Sequence, residues 1–226
     1  MHDNRREFGG VTLEHANDPG DLAVRGPDEV DATRVVTDYF AEIAELAHRV
    51  DVASVGEFAR TVVDTILHRR ALLVAGNGGS ASTAGHVVCD LIGACVSMGL
   101  PARITGLGDN AAVVTALAND IGFEDVFSRQ VRLLGAPGDL LLLFSVSGES
   151  PNLLNAAREA QACGLRVAVA VGRANASLLK YADVAVCLDT TDYGLAEDFQ
   201  LTLNHIVIRL LKGGSPQKCR DGQGAL

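Results

Sequence analysis

The stretch ALLVAGNGGSASTAGHVVCD, Ala71 to Asp90, runs from five apolar residues through a glycine-rich turn into a segment with helical spacing. A strand short and apolar enough to be buried on both faces, followed at once by a helix, opens a βαβ unit. The same alternation recurs downstream. Further strands are predicted at Ala102 to Thr105, Asp139 to Ser145, Arg166 to Val171 and Val184 to Leu188. Between and after them helical patterns fall at Ser80 to Ala94, Asn110 to Leu117, Phe123 to Leu134, Ser150 to Cys163, Ala176 to Tyr181 and Leu195 to Lys212. Strands alternating with helices predict an α/β fold, a parallel sheet covered on both faces.

Upstream, Val35, Val36, Tyr39, Phe40, Ile43, Leu46 and Ala47 recur at helical spacing, and a second amphipathic stretch covers about Val52 to His68. Two helices therefore precede the first strand. Residues 1–27 mix Asp, Gly, Pro, Arg and Asn without periodicity and read as a disordered or strap-like arm. Residues 28–212 read as a single domain, and 213–226 as a flexible tail. Over 226 residues the chain is 48% hydrophobic, ample for one core. A formal charge of −9 with no basic run argues against nucleic acid and anionic membrane as partners, so the expected ligand is small. The N-terminus has no apolar leader and runs such as Asp139 to Phe144 are too short to span a bilayer, which reads as cytoplasmic. The five cysteines form no CxxC pair, so neither disulfides nor a thiolate zinc site is expected.

In an open parallel sheet the ligand lies beyond the carboxyl ends of the strands, at helix N-termini. Two such loops are rich in glycine and hydroxyls: Gly76-Asn77-Gly78-Gly79-Ser80 and Ser145-Val146-Ser147-Gly148-Glu149-Ser150. Glycines let backbone N–H groups approach an anion, and serine hydroxyls donate without adding charge, so a phosphate monoester suits both loops. One such loop alone is an ordinary turn and N-cap. Two of them point to a site. No P-loop pattern is present, and no acidic residue ends the second strand to grip a ribose, so no nucleotide cofactor is expected.

His86 and Asp90, four apart, share one side of the helix that follows the first loop. The last helix carries Glu197, Asp198 and His205, and Leu201, Leu203, Ile206, Ile208, Leu210 and Leu211 around the histidine want burial, so His205 needs a partner. Asp198, seven before His205, lies almost under it, and Glu197 lies roughly 80° further round. These histidines and carboxylates could hold Zn2+ or run proton transfers on a bound sugar phosphate.

Four segments, GNGGSASTAGHVVCDL, LANDIGFEDVFSRQV, FSVSGESPNLLNAAREA and AEDFQLTLNHIVIRLL, together resemble the sugar isomerase (SIS) domain family, in its phosphoheptose isomerase branch, over about residues 30–212. The resemblance implies a flavodoxin-like three-layer sandwich with a five-stranded parallel sheet, preceded by helices. It also implies a homotetramer with active sites at subunit interfaces, and conversion of sedoheptulose 7-phosphate to an aldoheptose 7-phosphate. By the same resemblance Ser80, Ser145, Ser147 and Ser150 bind the phosphate, with Asn77, Gly78 and Gly79 lining the loop and Asp109 and Asn110 in the loop after the second strand. Asp90 and His205 fall on the catalytic positions, and His86, Asp90, Glu197 and His205 on those that hold zinc in some members. The chain departs from the usual pattern: Asp90 replaces a glutamate, Glu197 a glutamine, Val146 a threonine, and Ala94 an arginine carried by some members.

An aldose–ketose isomerisation needs one proton moved between adjacent carbons and another between their oxygens. Asp90 is assigned the carbon-bound proton, giving an enediol, and His205 the oxygens, with Glu197 or Zn2+ polarising the oxygens. Two further readings are an isomerase of another long-chain sugar phosphate, such as an octulose phosphate in antibiotic-sugar assembly, and a non-catalytic sugar-phosphate-binding module.

Overall fold

The computed structural model describes residues 30–214 and the backbone of two short strands, β1 (Glu7–Phe8) and β2 (Val11–Thr12), which pair antiparallel. The rest of the expected arm over 1–27, and the tail from 215 on, lie outside the described residues.

Two helices lead into the sheet, α1 (Ala32–Arg49) and α2 (Val52–Leu67). Each begins where an aspartate carboxylate accepts first-turn N–H groups, Asp31 from Thr33 and Arg34, Asp51 from Ala53 and Ser54. The sheet follows as β3 (Ala71–Ala75), β4 (Arg103–Gly106), β5 (Leu140–Ser145), β6 (Arg166–Val171) and β7 (Val184–Cys187), all parallel and ordered β4-β3-β5-β6-β7. The connections carry α3 (Gly79–Met98), α4 (Ala111–Ile121), α5 (Val126–Leu134) and α6 (Pro151–Ala162), and the described fold ends on α7 (Tyr193–Leu211).

Because successive strand residues point to opposite faces, the sheet divides one apolar core into two layers. Leu72, Val74, Leu140, Leu142 and Phe144 face the layer closed by α2, α3 and α7, with Phe58, Leu91 and Leu203 among the side chains that meet them. Leu73, Ala75, Leu141, Leu143, Val167 and Val169 face the layer of α5 and α6, against Phe127, Val131 and Leu153. This is the expected three-layer α/β sandwich with two helices ahead of it.

Three details differ from the periodicity. The edge strand β4 is not covered on both faces: Arg103 and Thr105 are exposed, and α4, which follows it, buries none of its side chains. The helix expected over Phe123 to Leu134 starts as a 3-10 turn at Phe123–Asp125, because Gly122 at φ 108° breaks the chain direction after α4. The segment 177–181 is likewise a 3-10 turn. α3 is long and apolar enough by composition to cross a membrane, yet in this fold it is a crossover helix packed on the sheet and alongside α7.

The strand order reverses at β3. The chain leaves β3 for β4 on one side and returns to β5 on the other, so the loops after β3 and β5 splay apart and leave a crevice at their carboxyl ends.

Candidate active site

Both glycine- and serine-rich loops open into that crevice. After β3, Gly78 takes φ 56° and caps α3 with no side-chain oxygen, which leaves first-turn N–H groups of α3 for some other acceptor. After β5, Gly148 at φ 68° turns the chain, with its N–H donating to Ser145 Oγ at 2.9 Å, and Ser150 precedes Pro151 at the start of α6 without capping it. The loops are tied together by a reciprocal pair of amide bonds: Asn77 Nδ2 donates to Asn152 Oδ1 at 2.9 Å, and Asn152 Nδ2 donates to Asn77 Oδ1 at 2.9 Å. Between them lies a cavity of about 90 Å3 lined by Asn77, Ser80, Ser145, Val146, Ser147, Ser150, Tyr193 and Glu197. At about 30 Å3 per water, that is room for one small polyatomic group.

Four serines expected to seat a phosphate thus do share one cavity. Ser80 is committed in one respect, since its hydroxyl donates to Gln200 Oε1 at 2.9 Å, and Gln200 is fully buried. Gly79 sits under Glu197: a Cβ at this position would collide with the Glu197 carboxylate. Gly78 faces open space.

The second group lies further along the same two helices. α3 and α7 run side by side, and Asp90 Oδ2 stands 3.2 Å from His86 Nε2 and 3.8 Å from His205 Nε2. The imidazoles meet edge to face, with centroids 5.9 Å apart. Asn204 Nδ2 donates to Asp90 Oδ2 at 2.8 Å and fixes the carboxylate from below. One ligand atom from each of His86, Asp90 and His205 lies within 4.8 Å of the others, an N2O donor set of the kind a divalent cation takes. Beside this cluster opens a cavity of about 620 Å3, lined from α3 by Asp90 and Ala94 and from the end of α7 by His205, Arg209 and Lys212.

Glu197 departs from its expected place. It does not join the His86, Asp90 and His205 group but lies about two turns back along α7, facing the serines. Burial first, and the negative charge of Asp198 second, push its carboxyl above the usual carboxylate range. Asp198 turns outward and accepts a hydrogen bond from the Tyr39 hydroxyl at 2.8 Å. Asp109 and Asn110 line neither cavity. Asn110 caps α4 by accepting from Ala112 and Val113, and Asp109 folds over Gly106, whose missing side chain makes room for it.

Three functional contacts lay beyond sequence reasoning: Asn152, Gln200 and Asn204. Each is an amide buried to 2% exposure or less in an otherwise apolar helix surface, a pattern that signals a partner without naming it. A carboxylate set against two imidazoles is chemically able to take a proton from carbon and shuttle another between oxygens.

The chain is similar to proteins of one kind. The SIS domain model matches residues 38–172. The phosphoheptose isomerase of Burkholderia pseudomallei (strain K96243) is 36% identical over 171 residues, covering 75% of this chain and 86% of that protein. That of Streptomyces coelicolor is 40% identical over 136 residues, 60% of this chain, and the chain spans 59% of its length. Among solved structures, a phosphoheptose isomerase from Neisseria gonorrhoeae superposes with a TM-score of 0.73 at 27% identity, covering 80% of this chain and 98% of that one. One from Francisella tularensis, 23% identical with a TM-score of 0.73 over 81% of this chain and 99% of that one, shows the same fold. The chain belongs to the SIS domain family, in its phosphoheptose isomerase branch.

Proposed function

We propose that this protein is an aldose–ketose isomerase that converts sedoheptulose 7-phosphate to an aldoheptose 7-phosphate. The observation that carries the reading is the placement of Asp90 against two imidazoles, on the very helix whose N-terminus closes the serine seat. The seat holds the phosphate, and binding energy spent there orients the reacting carbons. Asp90 takes the proton from the hydroxyl-bearing carbon beside the carbonyl and returns it to the neighbouring carbon. His205 moves the second proton between the two oxygens, and Asn204 holds Asp90 in line. His86, Asp90 and His205 also fit a divalent cation such as Zn2+, which when bound supplies a Lewis acid for the sugar oxygens.

The working unit in this reading is the 28–212 domain, and a homotetramer completes it. Single-chain exposure supports that: the side chains of His86 and His205 are 48% and 57% exposed, too open for a site that must exclude water. Apolar residues on α1 (Val35, Val36, Phe40) and α3 (Ile92, Val96) are exposed as well and suit cover by neighbouring copies. A soluble, cytoplasmic enzyme is the accompanying proposal.

The test is NMR of the purified protein with sedoheptulose 7-phosphate, in parallel with and without EDTA. An anomeric aldose signal is expected to grow in, and to grow more slowly after chelation when a metal takes part. Absence of any aldose signal in both samples would count against the isomerase.

A further inference from the structure

An anion seat built from hydroxyls and a helix end already contains an anion of the protein's own. Of the side chains lining the serine cavity, Glu197 is the only carboxylate and none is a cation. Its carboxylate rests on Gly79, in the first turn of α3, where only a glycine leaves room for it. No hydrogen-bond or ion-pair partner holds it there among the described residues. Ser80 is turned to Gln200 instead, and Tyr39 engages the neighbouring Asp198. A glutamine in this place would have filled the same space without charge.

We propose that Glu197 is the selectivity element of the seat. By like-charge repulsion it keeps bare inorganic phosphate out, and it yields to a phosphate monoester on a polyhydroxylated chain, whose hydroxyls donate to the displaced carboxylate. The proposal rests on the reading of the serine cavity as a phosphate seat. Two anions confined within a few ångströms, with no cation between them, repel strongly at the reduced effective dielectric of a protein site. A ligand overcomes that only by giving the carboxylate donors in return. Inorganic phosphate brings at most one or two hydroxyls, all on the group that the seat itself must grip. A sugar phosphate brings several along a chain that leads away from the seat toward the His86, Asp90 and His205 cluster. Discrimination therefore comes from a built-in repulsive group, and the serines that attract both ligands do not supply it.

Isothermal titration of inorganic phosphate and of sorbitol 6-phosphate, which cannot be isomerised, into wild type, Glu197→Gln and Ser147→Ala tests this. Removing the charge is expected to tighten inorganic phosphate by about tenfold or more while sorbitol 6-phosphate tightens by less than about threefold, so that the preference for the sugar ester shrinks. Glu197→Ala, which also removes the charge, should reproduce the gain for inorganic phosphate, and serves alone where the glutamine variant fails to melt cooperatively. Unchanged affinity for inorganic phosphate in both charge-removing variants, with Ser147→Ala still weakening sorbitol 6-phosphate, would overturn the role of Glu197 and leave the seat standing. Sorbitol 6-phosphate binding that ignores Ser147→Ala would remove the seat and this proposal with it.

Discussion

Asp90 receives a hydrogen bond from Asn204 on one side and faces two imidazoles on the other, so its one free direction is toward the cavity it shares with His205. Substituting Asn for Asp90 keeps the shape and removes the proton acceptor. Turnover should fall by about a hundredfold or more, and deuterium uptake from solvent at the sugar carbon should fall in step. Exchange at the wild-type rate would return the carboxylate to a structural part. Asn204→Leu should lower kcat by roughly ten- to hundredfold through misplacing Asp90, with KM little changed, since the serine cavity proposed to seat the phosphate is untouched. A parallel rise in KM would mark general damage to α7 instead. The pair His86/Asp90 was legible from its spacing of four. Asn204 was not, because nothing in the order of residues says that α7 lies along α3. Glu197 stands among the metal ligands by family resemblance alone, and its position opposite Gly79 is a matter of packing between two helices that no single helix's turns disclose.

At the level of elements, the alternation of apolar runs and helices announced five strands and their intervening helices, since strands this apolar can only be buried in a parallel sheet. Where it misread an end, a glycine or an edge was responsible: after Gly122 the helix expected from Phe123 opens as a 3-10 turn, and β4 has a neighbour on one side only. The attachment of α1 was invisible in the pattern. Most of α1 is exposed, Leu46 is its one fully buried side chain, and Tyr39 ties it to α7 through Asp198. The Tyr39 hydroxyl is pushed up from 10.0 to about 12, chiefly by burial, then by its hydrogen bond to Asp198 and by the charges of Asp198, Asp192 and Glu42. A folded-state value above the unfolded one means that the stabilisation is complete below pH 10.0 and is lost as pH rises through about 12. Tyr39→Phe should therefore cost about 0.5–1.5 kcal/mol at neutral pH, and the difference in Tm from wild type should shrink in the alkaline window. A difference that persists undiminished there would assign the loss to packing.

At the scale of the whole molecule, exposed Phe40 at 65% and Val96 at 77% are costly to leave in water, and the proposed tetramer would cover them. Light scattering at micromolar concentration should give the mass of four chains. A monomeric mass would mean that the half-open cluster works without a neighbour, and the shared-site reading would fall. Phe40→Glu should shift the population toward smaller species while leaving the monomer fold intact, because that side chain supports no internal core. The amide clasp between Asn77 and Asn152 has a consequence in time as well as in space. Its two halves lie 75 residues apart in the chain, on loops that meet only once β3 has paired with β5. Such long-range closure comes late in folding. A refolding chain would thus acquire its affinity for phosphate esters last, after the helices and most of the sheet have formed, and ligand capture during refolding would serve as a clock for the final step.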